Sequence, residues 1–232
     1  MVDITAQTLA GIGAFRGLSA TDRGALARQC RAHLYSANEQ IVSHQDESTD
    51  VYFIVSGSVR VTTYSPSRKE ITFRDLEAGQ MFGHLAAIDN QPRSASVLAL
   101  TDSLIASMSA STFLETLQKY PAVCLITLRE LAGLVRLLSE RVVEFSTLGV
   151  KNRIHAELLR LANKNIQGDN TATISPAPTH ADLASRISTH REAVTRELNH
   201  LTQAGLIERR HGALVINDVK RLALMVQDIR GK

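Results

Sequence analysis

Hydrophobic positions follow three different patterns along the chain. Over about residues 33–108 they come in short runs such as Val51-Tyr52-Phe53-Ile54-Val55, Val59-Arg60-Val61-Thr62-Thr63-Tyr64 and Glu70-Ile71-Thr72-Phe73, separated by Gly, Pro, Ser and Asp. Short segments rich in β-branched and aromatic residues predict an antiparallel β-sandwich or barrel. Ser56-Gly57-Ser58, between two of these runs, predicts a tight hairpin, because glycine supplies the positive φ of a close reversal. Ahead of the β region, residues 1 to about 30 predict short helices, with Ser19 as an N-cap and Asp22 in capping-box spacing.

From Pro121 the period becomes helical. Cys124, Leu128, Leu131, Val135, Leu138, Val142 and Phe145 are spaced alternately by four and three residues, an unbroken a/d register. Leu125, Leu134, Leu137 and Val143 widen the apolar face, so one side can dock on the β domain while the seam meets a second copy. A dimerisation helix over about 121–148 is therefore predicted. Gly149 closes it, a further helix is expected over roughly Arg153 to Lys164, and Gln167-Gly168-Asp169-Asn170-Thr171 reads as a polar linker. The expected domains are residues 1–148 and 149–232.

The third pattern carries chemistry. Thr179-His180-Ala181-Asp182 has capping-box spacing and leads into Leu183, Ala184 and Ile187 on one face of a short helix. After the break at Ser188-Thr189, Thr189-His190-Arg191-Glu192 repeats the spacing and opens a second helix with Val194, Leu198 and Leu201 facing inward. Two capped helices joined by so short a turn predict a helix-turn-helix whose second helix enters a major groove. Arg191, Glu192 and Arg196 lie opposite the apolar stripe, where Arg can donate to guanine O6 and N7 and Glu can accept from cytosine N4. The stretch from Gly205 to Ile216 predicts a β-hairpin with a basic tip, a wing on which Arg209, Arg210 or His211 meets phosphate. Surface ion pairs on an ordinary helical domain would explain the charges but not two caps, a turn and a basic hairpin in this order.

Composition narrows the class. A chain of 232 residues, 44% hydrophobic, fits two small domains. The net charge of +3 is unevenly distributed: residues 151–232 carry 13 Lys+Arg against 8 Asp+Glu, residues 1–150 carry 13 against 15. A polyanion is thus expected at the C-terminal part. No apolar window of about 18 residues occurs, and residues 1–10 carry Asp3 without a basic, then apolar, leader, so a cytoplasmic protein with no membrane span is expected. Cys30 and Cys124 lack CxxC or Cys/His spacing, which excludes an iron–sulfur cluster and predicts packed thiols in a reducing compartment. Paired carboxylates with metal spacing, HExxH, GxSxG and a Walker loop are all missing, so no enzyme is expected.

The segment Ile187 to Arg196 resembles the R-E-x-V-x-R signature of the cAMP receptor protein (Crp-Fnr) family of bacterial transcription regulators. Phe82-Gly83-His84-Leu85-Ala86-Ala87, followed by Pro92-Arg93-Ser94-Ala95, resembles that family's phosphate-binding cassette. With Gly57, the long helix and Gly205-Leu206-Ile207, the resemblance covers about residues 12 to 225. It implies an α+β fold: an N-terminal double-stranded β-helix (jelly-roll) that binds cyclic nucleotide, a dimerisation helix and a C-terminal winged helix-turn-helix. It further implies a homodimer that binds palindromic double-stranded DNA and RNA polymerase under control of cAMP or cGMP, with no cofactor. The implied ligand-binding residues are Gly83, His84, Leu85, Ala86, Arg93, Ser94, Leu138 and Ser139; the DNA-binding ones are Thr189, His190, Arg191, Glu192, Thr195, Arg196 and Arg210. Arg93 would pair with the cyclic phosphate, Ser94 with phosphate or purine, and Ser139 with the base; because Ser94 and Ser139 can each donate or accept, both purines are expected to be taken. Two positions depart from the family. His84 stands where a Glu binds the ribose hydroxyl, and Leu138 where the cAMP receptor protein has a hydroxyl residue. A different effector, or constitutive DNA binding, is the alternative within the same fold. Haem would find one axial ligand in His84 and leave Arg93-Ser94 without a purpose.

Overall fold

In the computed structural model, which describes residues 3–230, the β-branched runs form two antiparallel four-stranded sheets. One has the spatial order β1 (Arg31–Tyr35), β8 (Ser103–Met108), β3 (Val51–Ser56), β6 (Met81–Phe82); the other β2 (Gln40–Val42), β7 (Ser96–Ala99), β4 (Ser58–Tyr64), β5 (Glu70–Glu77). Val42, Val59, Leu76 and Val97 from the second sheet meet Ile54, Phe82 and Ile105 from the first in one core, so the sheets face each other. The first sheet is covered on its other face too. There Val51, Phe53, Ala106 and Met108 pack on Leu9, Phe15, Leu26 and Phe113, from α1 (Ala6–Ala10), the Gly13–Phe15 turn, α2 (Ala20–Ala27) and α4 (Ala110–Lys119). Burial on both faces is why Val51 to Val55 reads as a continuous apolar run rather than an alternation. Each large side chain in these cores contributes about 1.5–3 kcal/mol. Ser19 caps α2 as expected, accepting from the Asp22 N–H at 3.1 Å.

The hairpin expected at Gly57 is a corner instead. β3 pairs with β8 and β6, β4 with β5 and β7, and no ladder joins β3 to β4. The chain leaves one sheet at Ser56 and enters the other at Ser58. Gly57 is still required, with φ +87° and a hypothetical Cβ only 2.2 Å from Ser103 Oγ and 2.6 Å from the Asp102 carbonyl oxygen. The tight connection of this region lies between β4 and β5, where Ser65 N–H donates to the Lys69 carbonyl at 2.9 Å.

The helix α5 (Pro121–Thr147) runs for 27 residues, and the chain divides within it into two compact units, Met1–Val135 and Arg136–Lys232. Its seam is apolar and uncovered: Leu128, Val135 and Val142 are each more than half exposed. Gly149 is the N-cap of α6 (Val150–Ala162), which starts three residues earlier than the spacing predicts. The second unit continues with β9 (Ala172–Ile174), α7 (His180–Arg186), α8 (Arg191–Gln203), β10 (Ile207–Arg210), β11 (Ala213–Ile216) and α9 (Val219–Arg230). Its core gathers Ile154, Leu158, Leu183, Val194, Leu198, Leu201, Leu214 and Leu222.

Charged groups are also buried in the second unit. Glu157 on α6 is 1% exposed and meets Arg141 of α5 at 2.7 Å and Arg186 of α7 at 3.6 Å. Arg160 bonds Glu157 and both oxygens of Glu144 of α5, at 2.7 and 2.8 Å. Arg141 donates in addition to the Arg186 carbonyl at 3.2 Å. The end of α5 is thus joined by ion pairs to α6 and α7 across the break at Gly149.

Candidate effector pocket and nucleic-acid interface

The cassette is built around a glycine turn. Gly83, at φ +82° and ψ −6°, ends β6 and caps α3 (His84–Asp89). A Cβ there would lie 2.7 Å from Arg93 Nη1 and 2.8 Å from the Asp50 carbonyl oxygen, so only glycine fits. The backbone of Arg93 is held in the same place, its N–H donating to the Asp46 carbonyl at 2.8 Å and its carbonyl accepting from Gln45 at 2.9 Å.

The Arg93 side chain is 3% exposed. Its Nε donates to Ser48 Oγ at 3.1 Å, Nη1 to the Gly83 carbonyl at 3.0 Å and Nη2 to the Asp50 carbonyl at 2.8 Å. The guanidinium also lies 5.5 Å from the centroid of the Tyr52 ring, which stacks on Phe82. Burial lowers the Arg93 pKa, opposed by Tyr52, Asp46 and Asp50; a guanidinium starts so far above neutrality that the group stays charged. A permanently charged, planar fork is held rigid by three backbone-anchored segments, which is what recognition of a singly charged phosphate needs.

Ser94 is exposed, Leu85 is exposed and Ala86 is buried. His84 is 3% exposed, and its Nδ1 has no hydrogen-bond partner among the described residues. Burial first, then the charge of Arg74, bring its pKa down to about 4, so at neutral pH it is an uncharged imidazole. Leu138 and Ser139 lie on exposed positions of α5 in the second unit. The roles of Ser48, Asp50 and Tyr52 were not legible in the sequence, because they lie 41 to 45 residues before Arg93 with no local signature.

His84 makes acid stability a test of this burial. The folded state binds its proton only near pH 4, the unfolded state near 6.5. Between those values the unfolded chain holds more protons, so stability falls as pH is lowered through the window, by up to about 3 kcal/mol from this residue, and levels off below it. Urea unfolding at pH 7, 5 and 4 should show that component in the wild type and not in His84→Gln. Equal acid losses in the two proteins would refute it.

In the second unit the helix-turn-helix is present. Thr179 caps α7 with both bonds of the capping box, worth about 1 kcal/mol. The second cap differs from expectation: α8 begins at Arg191 with His190 as N-cap and no side-chain bond, while Thr189 is buried and its N–H donates to the Ala184 carbonyl at 3.0 Å. Ser188 at φ +50° turns the chain here, which draws Thr189 inward. His190, Arg191, Glu192 and Arg196 are exposed, and Val194, Leu198 and Leu201 are buried beneath them. Thr195 is half-buried, its hydroxyl donating to the Arg191 carbonyl at 3.0 Å and lying 2.7 Å from His180 Nδ1. Burial, then the charges of Arg209 and Arg191, lower the His180 pKa. The contact of His180 with Thr195 was not legible in the sequence, where His180 is one residue of a cap.

α8 is tied to α6 by His155 Nε2 and Glu197 Oε1 at 2.6 Å. The wing is the antiparallel pair of β10 and β11, turning at His211 and Gly212, with β9 added beside β11. Arg209 donates to the Pro178 carbonyl at 3.3 Å, and Arg210 pairs with Glu208 at 2.7 Å on the surface.

A nucleotide-type cassette in a β-roll, followed in one chain by a winged helix-turn-helix, defines a class of protein: a transcription regulator carrying its own sensory domain. Family models agree. The cyclic nucleotide-binding domain matches residues 32–120 and the Crp-like helix-turn-helix domain residues 152–225. The chain belongs to the Crp-Fnr family, whose members are transcription regulators rather than enzymes. It is 24% identical over 218 residues to the CRP-like cAMP-activated global transcriptional regulator of Mycobacterium tuberculosis, spanning 94% of this chain and 97% of that one. To the cAMP-activated global transcriptional regulator CRP of Haemophilus influenzae it is 27% identical over 188 residues, 81% of this chain and 84% of that one. Among solved structures, a CooA mutant from Carboxydothermus hydrogenoformans shares the fold with a TM-score of 0.77 at 22% identity, over 87% of this chain and 90% of that one. No helix among the described residues is long and apolar enough to cross a membrane.

Proposed function

We propose that this regulator is controlled by a cyclic nucleotide and binds palindromic DNA as a homodimer in the cytoplasm, acting on RNA polymerase. The observation that carries the reading is Arg93: a buried guanidinium fixed at the Gly83 turn by Ser48, Gly83 and Asp50. In this reading residues 1–148 sense the ligand and dimerise through about 121–148, and residues 149–232 read DNA. Arg93 and Ser94 take the cyclic phosphate, Gly83, His84, Leu85 and Ala86 surround the sugar, and Leu138 and Ser139 meet the base. The cAMP-activated relatives support cAMP or cGMP as the effector class. His190, Arg191, Glu192 and Arg196 address base edges, Thr189 and Thr195 hold the helix start, and Arg210 meets phosphate. The nucleotide switches DNA affinity only if it favours one arrangement of the dimer over another.

The uncovered seam supports self-association, since seven large apolar residues of α5, Leu125, Leu128, Val135, Leu138, Val142, Val143 and Phe145, are exposed in the single chain. Sedimentation of the full chain should give a dimer at micromolar concentration, and Leu131→Glu with Val135→Glu a monomer. Mobility shifts on a selected operator should strengthen when cAMP or cGMP is added. A shift of equal strength with and without either nucleotide would favour constitutive binding or another effector.

A further inference from the structure

A hydrogen-bond chain links the start of α7 to the exposed side of α8. Thr195 stands one helical turn after Arg191, and both Arg191 and Arg196 beside it are exposed. Its Oγ1 donates to the Arg191 carbonyl at 3.0 Å, and the same oxygen lies 2.7 Å from Nδ1 of His180, the first residue of α7. A hydroxyl has a single hydrogen. With that hydrogen on the carbonyl, the back-bond that threonine makes within a helix, Oγ1 can only accept from His180. Nδ1 therefore carries a hydrogen whether the ring is charged or neutral.

All change on titration then falls on Nε2. That atom has no partner among the described residues and is not sealed from solvent. In the neutral ring it is a bare acceptor, in the imidazolium a charged donor. Its place decides which form DNA meets. In a helix-turn-helix the first helix crosses the sugar-phosphate backbone while the second enters the groove. On the wing side, the exposed Arg209 of β10 donates at 3.3 Å to the carbonyl of Pro178, two residues before His180. His180 is thus flanked by the first turns of α8 and by the wing strand. A phosphate oxygen there repels a bare acceptor and is bonded by a charged N–H.

We propose that His180 binds a DNA phosphate through Nε2, and only as the imidazolium, so that each protomer takes up a proton when it binds DNA. The proposal rests on the reading of α8 as the DNA-reading helix and adds to it a contact from α7. In the free protein burial, then Arg209 and Arg191, hold the His180 pKa below the usual histidine value, so the ring is neutral at pH 7 and above. Asp182 on the same helix is engaged in the Thr179 cap, and Glu157 of α6 closes on Arg141 and Arg186. Arg209 and Arg191 remain as the charges that act on the ring. A phosphate opposes them and raises the pKa in the complex. Between the free and bound values the complex holds more protons than its separate parts, so affinity rises as pH falls.

Operator affinity of the full-length protein, measured at fixed ionic strength with cAMP and separately with cGMP present, should rise about ten-fold or more from pH 8 to pH 6. His180→Gln should match the wild type at pH 8 and fall below it at pH 6, because only the charged form is lost; a merely structural role would lower both. His180→Arg, permanently charged, should bind tightly at both pH values without a slope. Thr195→Val should flatten the slope, since the neutral ring can then place its hydrogen on Nε2. His190→Gln and His211→Gln, at the other exposed histidines of the helix start and the wing tip, should keep it. An unrelated duplex should show the operator's slope, because phosphate is common to both. No slope in the wild type, or a slope retained in His180→Gln, would overturn the proposal. A slope on the operator alone would overturn the phosphate in favour of a base. Failure to bind any duplex at any pH would overturn the reading of α8 itself, and this inference with it.

Discussion

Replacing Glu157 by alanine is expected to destabilise the DNA-binding unit by about 3–5 kcal/mol. The carboxylate is 1% exposed and is the shared partner of Arg141, Arg160 and Arg186. Its removal leaves Arg141 and Arg186, each less than 10% exposed, as buried charges without that partner, and an uncompensated buried charge costs far more than the pair itself contributes. Glu144 still holds Arg160, so the loss falls mainly on the other two. Glu157→Gln, which keeps the shape, should recover only a minor part, since the missing quantity is charge. Denaturant unfolding of the three proteins measures this. A change below about 1 kcal/mol for Glu157→Ala would mean that water reaches the network.

The second large effect is at Arg93. Arg93→Ala should lower cyclic-nucleotide affinity by about 100-fold or more, because a charge-assisted contact in a buried site is worth several kcal/mol. The same substitution releases the carbonyls of Gly83 and Asp50 and the hydroxyl of Ser48, so the free protein should also unfold more easily. Arg93→Lys separates the two roles. A lysine keeps one positive charge but lacks the fork that spans Ser48, Gly83 and Asp50, so it should retain more affinity than alanine while recovering little stability. Calorimetry with cAMP and cGMP, beside thermal unfolding without ligand, reads both. Undiminished nucleotide affinity in Arg93→Ala would remove the phosphate contact from this residue.

What the sequence shows of the fold is what local spacing can encode. The a/d seam, the Thr179 cap and the wing at Gly205 to Ile216 each depend on residues within a turn or a hairpin of one another. Gly57 shows the limit: its need for positive φ is local, but whether the flanking strands pair with each other is decided by partners far along the chain, here β8, whose Met108 pairs with Val51 and whose Ser103 crowds Gly57. β9 has three residues, too few to display an alternation. At the start of α8, Thr189 and Glu192 keep capping spacing, but the left-handed Ser188 turns Thr189 into the core, and burial overrides the motif. The charged network was hidden differently. Glu157 and Arg160 look like an ordinary surface pair three residues apart on a helix, and only the packing of α5 and α7 over them turns solvated charges into buried ones. At the cassette the arginine was legible and its anchors were not, for the same reason: they come from another strand and loop.

The wing has a further consequence. In the sheet order β10, β11, β9, the strand β10 is an outer edge, with a row of backbone donors and acceptors open to another extended chain. Its sequence after Ile207 is Glu208-Arg209-Arg210, three charges in succession, which makes the edge a poor template for aggregation. The same residues that the wing offers to a phosphate backbone therefore also guard the protein against joining itself strand to strand. A version of the wing weakened for DNA by replacing Arg209 and Arg210 with β-branched residues would lose that guard, and reduced DNA binding in such a variant would have to be separated from loss of soluble protein.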